Sequence, residues 1–133
     1  MEKRKQIMAI LILILIIGGC ASIPITSLTK NDIPELVGKW KGDYYCVTHS
    51  NSQISELRIL NENLEGEITF NTNNREKTTH SFAGQIKDEK LVIGWEKDRW
   101  VKLALYKGNG KIKLKGNFEW RDCRGTLSFH KIE

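Results

Sequence analysis

One hairpin sequence constrains the fold of this 133-residue chain more than any other feature. In "LALYKGNGKIKLKG", apolar and polar residues alternate on both sides of Asn109-Gly110. Such alternation is typical of β-strands, and Asn-Gly is the preferred pair for a two-residue hairpin loop because both positions need positive φ. The turn sets the register and predicts Leu105 opposite Leu114. The segment therefore predicts an antiparallel hairpin with one apolar face.

The same alternation continues from Leu36 to the end of the chain, and no segment there shows a convincing 3.6-residue period. Short strands at regular spacing are typical of an antiparallel meander. If the first strand pairs with the last, the sheet loses its free edges. We therefore predict an all-β fold, an eight-stranded antiparallel up-and-down barrel. The eight predicted strands cover residues 36–48, 54–61, 64–72, 79–88, 90–96, 100–107, 111–120 and 123–132.

The interior of this barrel is predicted to be packed with side chains. The inside of an eight-stranded barrel is just wide enough for side chains to fill it. Alternation assigns enough apolar bulk to the inner face to leave little cavity, so we predict a packed core rather than a large ligand pocket. The predicted inward residues are Trp40, Tyr44, Leu57, Ile59, Ile68, Phe70, Phe82, Ile86, Ile93, Trp95, Leu103, Leu105, Leu114, Phe118 and Phe129.

Residues 1–20, "MEKRKQIMAILILILIIGGC", differ in composition from the rest of the chain, with a cationic start and an apolar run of eleven residues. A membrane-spanning helix needs roughly 20 apolar residues, whereas a shorter run after a cationic start is typical of a signal peptide. We therefore predict a signal peptide over residues 1–19, a flexible lipidated tether over 20–35 and the barrel domain over 36–133.

The end of this segment, Ile17-Gly18-Gly19-Cys20, resembles the lipobox of bacterial lipoproteins. The resemblance implies that the Cys20 thiol carries diacylglycerol and that Cys20 becomes the first residue of the mature chain. Lipid chains anchor proteins because each buried methylene contributes about 0.8 kcal/mol. We expect an exported protein at a cell membrane, and, because Ala21 follows the cysteine, at the outer membrane facing the periplasm in a Gram-negative cell. An uncleaved anchor and an ordinary secreted protein are the alternatives.

The other two cysteines, Cys46 and Cys123, fall in the first and last predicted strands. Export leads to an oxidising compartment, where disulfides form. If Cys46 lies opposite Cys123, the aromatic residues of both strands gain small or apolar neighbours, so we predict a disulfide that closes the barrel. Two free buried thiols are the alternative. No metal site is predicted, because His49, His80 and His130 lack the spacing of metal ligands.

The first predicted strand, "LVGKWKGDYYC", contains Gly38-x-Trp40, which resembles the signature of the calycins, the lipocalins and avidins. The resemblance implies a small, exported, calycin-like barrel in which Trp40 closes one end and a cation of the last strand stacks on it. The predicted register places Lys131 opposite Gly38 and next to Trp40. A cation-π contact of about 0.5–2 kcal/mol is expected there.

Charge and motifs argue against several functions. The net charge is +5, and without residues 1–20 it is +3, from 18 basic and 15 acidic residues. This charge is too small to predict nucleic-acid binding. The chain contains no Gly-x-Ser-x-Gly, no His-Glu-x-x-His and no phosphate-binding glycine loop. We therefore predict a protein that is not an enzyme and uses no cofactor.

Two features point to a binding surface on the outside of the barrel. The first is a stripe of lysines on one outward sheet face, suited to anionic lipid headgroups, lipopolysaccharide or an acidic protein. The second is an aromatic residue beside an arginine in a predicted hairpin loop, a composition favoured at binding hot spots. A plain solvated face and a lid over the barrel end are the alternatives. The candidate residues are Lys102, Lys111, Lys113 and Lys115 for the stripe and Arg99 and Trp100 for the loop.

These expectations combine into a lipid-anchored cell-envelope protein that acts as a non-enzymatic binding or structural module. Its partner, in the envelope or outside the cell, is unknown. One alternative is an inhibitor of an exogenous hydrolase such as lysozyme, because "YYCVTH" and the late cysteine resemble the plan of bacterial lysozyme inhibitors, although their Ser-Gly-x-x-Tyr pattern is missing. The other is a calycin-type small-molecule carrier, which requires a real cavity.

Overall fold

The computed structural model describes residues 25–48, 51–72 and 76–133, and β-strands dominate it. A 3₁₀ turn (Lys30–Asp32) and a short helix, α1 (Ile33–Leu36), precede the long strands. No helix in the described residues is long and apolar enough to cross a membrane. The strands are β1 (Ile25–Thr26), β2 (Gly38–Cys46), β3 (Asn51–Ile59), β4 (Glu65–Thr72), β5 (Glu76–Ala83), β6 (Gln85–Lys87), β7 (Lys90–Glu96), β8 (Arg99–Gly108), β9 (Lys111–Trp120) and β10 (Cys123–Lys131).

The strands form one antiparallel sheet that curls into a nearly closed barrel. Its order is β5-β4-β3-β2-β10-β9-β8-β7-β6, so the first and last long strands, β2 and β10, pair in the middle. The ends of this order, β5 and β6, are joined only by Gly84. Across that seam the Trp95 Nε1–H donates to Ser81 O at 2.8 Å. The all-β antiparallel architecture is confirmed.

The barrel path has nine strands rather than eight, because the strand predicted over 79–88 is two strands. β5 pairs with β4, and β6 pairs with β7 on the other side of the seam. The break falls at Gly84, whose N–H donates to Leu64 O at 2.8 Å. A Cβ atom at position 84 would lie only 3.1 Å from Leu91 Cδ1. A residue without a side chain therefore fits best at the point where the chain passes from β5 to β6. Apolar and polar residues alternate without interruption across Gly84, so the sequence pattern does not reveal the break between β5 and β6.

The register of β8 and β9 is confirmed, with Leu105 opposite Leu114. Asn109 and Gly110 have φ of 52° and 72°, as the predicted turn requires. The register of β2 and β10 differs from the prediction by two residues, because Gly125 lies opposite Cys46 and Lys131 lies opposite Trp40. Side chains alternate with a period of two, so this shift leaves each residue on its predicted face.

Close approach of the two backbones explains the observed register of β2 and β10. A Cβ at Gly125 would collide with Tyr45 O, so a glycine is required where β10 passes this part of β2. The cysteines then meet diagonally rather than directly opposite each other. Cys46 and Cys123 form the predicted disulfide, with Cα atoms 5.5 Å apart.

The core is the inside of the barrel, and it contains the apolar residues that alternation predicts. Of the fifteen predicted inward residues thirteen are buried, and only Ile86 and Trp95 are partly exposed, so the assignment of faces is confirmed. Further buried side chains are Leu28, Leu36, Leu64, Leu91, Val101 and Leu127.

One end of the barrel is closed by a segment that was predicted to be flexible tether up to residue 35 and strand from Leu36, whereas Leu36 ends the helix α1. Leu28 and Leu36 are buried in the same hydrophobic cluster as the inward residues of the barrel. The Trp40 Nε1–H donates to Leu36 O at 2.9 Å. Lys131 Nζ lies 5.9 Å from the centroid of the Trp40 ring and donates to Glu35 O at 2.6 Å. Residues 25–35 thus belong to the folded unit.

A lysine of β8 attaches this segment to the barrel wall. Lys107 Nζ lies 3.2 Å from Asp32 Oδ1 and 2.8 Å from Glu35 Oε2. The hydrogen bond to Glu35 raises the pKa of Lys107, and the Thr29 N–H lowers the pKa of Asp32. The polar groups at this closed end are therefore paired with one another.

Candidate functional site

Aromatic and cationic side chains meet in two regions of the barrel, one outside and one inside. On β8, successive residues point to opposite faces, so Trp100 faces outward and Arg99 faces inward. Trp100 was predicted in a loop, but it lies within β8, opposite Gly94 and Glu119. The loop is shorter than predicted because a bulge between Gly94 and Glu96 shifts the register of β7 against β8.

The outer region is a groove of about 680 Å³ across β7, β8, β9 and β10, which we call the basic groove. Its lining contains three lysines, two aromatic rings and several small or hydroxyl side chains, and no carboxylate. The lining residues are Lys90, Trp100, Lys102, Ala104, Tyr106, Lys115, Gly116, Asn117, Thr126, Leu127 and Ser128.

Strand register explains why the lysines converge. Ala104 lies opposite Lys115, and Lys115 lies opposite Ser128 on the next strand. Lys90 reaches the same row from β7, because Leu91 is paired with Leu103. The small side chains of Ala104 and Ser128 form a low floor between the lysines. A concave surface with cations at its rim follows from this arrangement.

Each aromatic ring in the basic groove has a lysine ammonium group over it. Lys102 Nζ lies 5.0 Å from the centroid of the Trp100 ring, and Lys115 Nζ lies 5.6 Å from that of Tyr106. Such cation-π contacts hold the ammonium groups without neutralising them. In the described ranges, no ion pair joins Lys90, Lys102 or Lys115 to a carboxylate. The groove therefore keeps its positive charge available for a ligand.

A carboxylate borders the basic groove but is already occupied. The Trp100 Nε1–H donates to Glu119 Oε2 at 3.2 Å. Glu119 Oε1 lies 3.2 Å from Arg124 Nη2. Glu119 thus orients the indole ring while its charge is balanced by Arg124.

The structure divides the predicted candidate residues among three places. Trp100, Lys102 and Lys115 meet in the basic groove. Lys111 and Lys113 lie further along β9 and line a second groove of about 640 Å³, with His130 and Lys131. Arg99 faces the barrel interior. Lys90 and Tyr106 were not among the predicted candidates. The confirmed hairpin register places Tyr106 on the outer face, opposite Lys113 and next to Lys115, whereas Lys90 joins them through the observed pairing of β7 with β8.

The inner region is an aromatic cluster at the open end of the barrel, opposite the closed end. Tyr44 packs edge-on against Phe70 and Phe118, with centroids 5.2 and 5.8 Å away. Trp120 lies 5.7 Å from Phe70 and 4.4 Å from His80. We call these five residues the inner cluster. Its rings contact one another, which is how side chains fill a barrel core.

Polar groups around the inner cluster are only partly satisfied. The Tyr44 hydroxyl donates to Asn71 O at 3.1 Å, and burial raises the Tyr44 pKa. Burial, followed by the charges of Arg99 and Arg121, lowers the pKa of His80. Among the described residues, Arg99 Nε and Asn71 Oδ1 are buried without a hydrogen-bond partner.

The Cys46–Cys123 disulfide stands at the same open end. It connects positions separated by 77 residues, and the adjacent Thr48 hydroxyl donates to Asp122 O at 2.7 Å. It joins the last residue of β2 to the first residue of β10. The predicted lipidation site, Cys20, lies outside the described residues, and so does His49.

Comparison with other proteins supplies no relative from which a function could be transferred. No protein-family model matches this chain, and no curated protein and no solved structure matches it.

Proposed function

We propose that this chain is a lipid-anchored protein of the cell envelope that acts as a non-enzymatic binding module for an anionic partner. One observation carries the proposal: Lys90, Lys102 and Lys115 converge over a low floor, and no carboxylate lines the groove that they form. Complementary charge steers partners together and selects among them. The basic groove is the binding surface.

The aromatic residues of the basic groove favour binding over a merely solvated face. Tryptophan and tyrosine are enriched at protein binding sites because they supply large, rigid contact areas with a polar tip. Trp100 and Tyr106 are partly exposed here, whereas the large aliphatic residues of β8, Val101, Leu103 and Leu105, point inward. Asn117, Thr126 and Ser128 add neutral hydrogen-bonding groups between the cations.

The lipid anchor is supported by the sequence Ile17-Gly18-Gly19-Cys20, which resembles the lipobox of bacterial lipoproteins. The Cys46–Cys123 disulfide is compatible with export to an oxidising compartment. We also propose a calycin-type relationship, on the basis of Gly38-x-Trp40 and of the Lys131 ammonium beside the Trp40 ring.

Calorimetric titration with inositol hexakisphosphate, a soluble polyanion, tests the proposed groove. The full protein, purified in a neutral detergent, is compared with a Lys102→Gln/Lys115→Gln variant. Charged hydrogen bonds contribute about 1.5–3 kcal/mol each, so we expect affinity to fall at least about tenfold. Lys41→Gln/Lys77→Gln removes the same charge elsewhere and should change affinity less than about threefold. Equal losses of affinity in the two variants would show that the basic groove is not the binding site.

A small-molecule carrier is a second candidate, favoured by the buried, unpartnered Arg99 Nε and Asn71 Oδ1 at the open end. The same titration separates the two candidates. Binding at the open end would persist in Lys102→Gln/Lys115→Gln and would be lost in Arg99→Gln. Binding in the basic groove would show the opposite pattern.

A further inference from the structure

The strand β1, which contains the first described residue, lies beside the basic groove. Ile25 pairs with Tyr106, and Tyr106 lines the groove. Cys20 lies five residues before Ile25. A chain spans at most about 3.6 Å per residue, so the Cys20 Cα lies within about 18 Å of the Ile25 Cα whatever the conformation between them.

Further lysines extend the positive charge along the same sheet face. Lys113 lies opposite Tyr106, and Lys111 lies opposite Gly108. Together with Lys102 and Lys115 they form a continuous basic strip on β8 and β9, next to the edge where β1 pairs. Strand residues on one face repeat about every 6.6 Å, so the strip is about 20 Å long along β9 and its neighbour.

We infer that the basic groove docks on the anionic phospholipid headgroups of the membrane that holds the Cys20 lipid, so that the barrel lies on its β7–β10 side. This inference rests on the proposed function and names its partner. Lysine ammonium groups pair with headgroup phosphates, and each cation near an anionic surface strengthens binding about fivefold. Trp100 and Tyr106 are suited to the same headgroup layer, because tryptophan and tyrosine favour the interface between membrane and water.

The short connection makes this docking effectively intramolecular. A ligand held within reach by a short linker is present at a high effective concentration, so individually weak lysine contacts suffice. A second membrane contact also sets orientation, which one flexible lipid attachment does not. Docking therefore turns a tethered barrel into one with a defined face toward the membrane and its open end free.

Vesicle co-sedimentation tests the inference without the lipid. The chain from Ala21 to Glu133 contains every described element and contact, so it replaces the lipidated protein, with its melting curve and intact disulfide as controls for folding. Vesicles of phosphatidylcholine alone are compared with vesicles that also contain phosphatidylglycerol. We expect binding only to the anionic vesicles, and weaker binding at high salt.

Matched triple variants locate the contact on the barrel. Lys90→Gln/Lys102→Gln/Lys115→Gln should lower the partition coefficient about 100-fold, which is about fivefold per lysine. Lys41→Gln/Lys77→Gln/Lys97→Gln removes the same charge from other exposed positions and should lower it much less. Equal partitioning of the two variants, or equal binding to neutral vesicles, overturns membrane docking.

The polyanion titration separates failure of the docking from failure of the proposed function. If inositol hexakisphosphate binds the groove but anionic vesicles do not, a soluble anionic partner replaces the membrane and the docking inference is wrong. If neither binds, both proposals are wrong. In the lipidated protein, headgroup nitroxides should weaken the NMR signals of Lys102 and Lys115 more than those of Lys41 and Lys77, and the reverse pattern also overturns docking.

Discussion

The aromatic rings of the inner cluster pack mainly against one another, with one cation, Arg99 Cζ, 5.4 Å from the Trp120 ring centroid, whereas each ring of the basic groove lies beside a lysine. Inside, Trp120 lies 4.4 Å from the His80 ring and 5.7 Å from Phe70. Outside, Lys102 Nζ lies 5.0 Å from the Trp100 ring centroid. One residue step along β8, from Arg99 to Trp100, separates the two environments. The aromatic residues on the inner face of the sheet therefore pack in the core, and those on the outer face belong to the proposed binding surface.

This contrast gives each region its own expected response to mutation. Changes at the inner cluster and its disulfide should lower the free energy of unfolding and leave polyanion affinity unchanged. Changes in the basic groove should lower affinity and leave stability unchanged. A substitution that lowers the free energy of unfolding and the free energy of polyanion binding by the same amount would contradict this separation of roles.

The disulfide should give the largest effect. Cys46→Ala or Cys123→Ala removes a link across 77 residues, and chain-entropy reasoning gives a loss of about 4 kcal/mol in the free energy of unfolding. Urea unfolding monitored by circular dichroism measures it. The two single variants and the double variant should be equally unstable, and reductant should destabilise only the wild type. Unequal single variants would show that one cysteine also acts outside the bridge.

Phe118→Ala should give the second-largest effect. We expect a loss of about 3 kcal/mol in the free energy of unfolding, because the substitution leaves a cavity beside Tyr44 and Phe70. The same unfolding measurement applies, and Phe118→Leu, which leaves a smaller cavity, should cost less. Affinity for inositol hexakisphosphate should stay within about twofold of wild type if the variant is folded at the assay temperature. A large loss of affinity would link the inner cluster to binding.

Trp100→Ala should show the opposite pattern. The indole is partly exposed on the outer face, and surface substitutions usually change stability by less than about 0.5 kcal/mol. Affinity should fall by about 1 kcal/mol or more, as is typical of an aromatic hot spot. A drop of several degrees in melting temperature, with affinity intact, would make Trp100 a structural residue.

The pH dependence of stability at His80 should be the smallest effect. Its pKa is lowered in the folded protein, mainly by burial, so the unfolded chain binds a proton more readily. The free energy of unfolding should therefore decrease as pH falls through the unfolded pKa, near 6.5, and level off below the folded pKa. Unfolding of wild type and His80→Gln between about pH 7.5 and 5.5 isolates this contribution. An identical pH dependence of the two proteins would contradict it.

Sequence analysis predicted faces well and registers only where a turn specified them. Asn109-Gly110 has a known loop length, so the pairing of Leu105 with Leu114 is confirmed. The pairing of β2 with β10 is wrong by two residues, because long-range pairing has no turn to set it. A shift of the strand pairing by any even number of residues keeps every side chain on the same face, so alternation alone does not determine the register.

The candidate site was predictable to the same extent. Lys102 and Lys115 were assigned to one outward face, and they lie together in the basic groove. Trp100 was placed in a loop because the bulge in β7 leaves no clear sequence signal. Lys90 was missed because its neighbours depend on that bulge. The helix α1 was not predicted, and its residues were divided between the tether and the first strand, because four helical residues are too few to show a period.

The central claim, that the basic groove and not the open end is the binding surface, is tested most directly by mapping amide and indole NMR signals during titration with inositol hexakisphosphate. We expect the largest shifts at Trp100, Lys102 and Lys115, saturating together, with the signals of His80 and Trp120 unchanged. Saturating shifts confined to His80 and Trp120, with the groove signals unmoved, would contradict the claim.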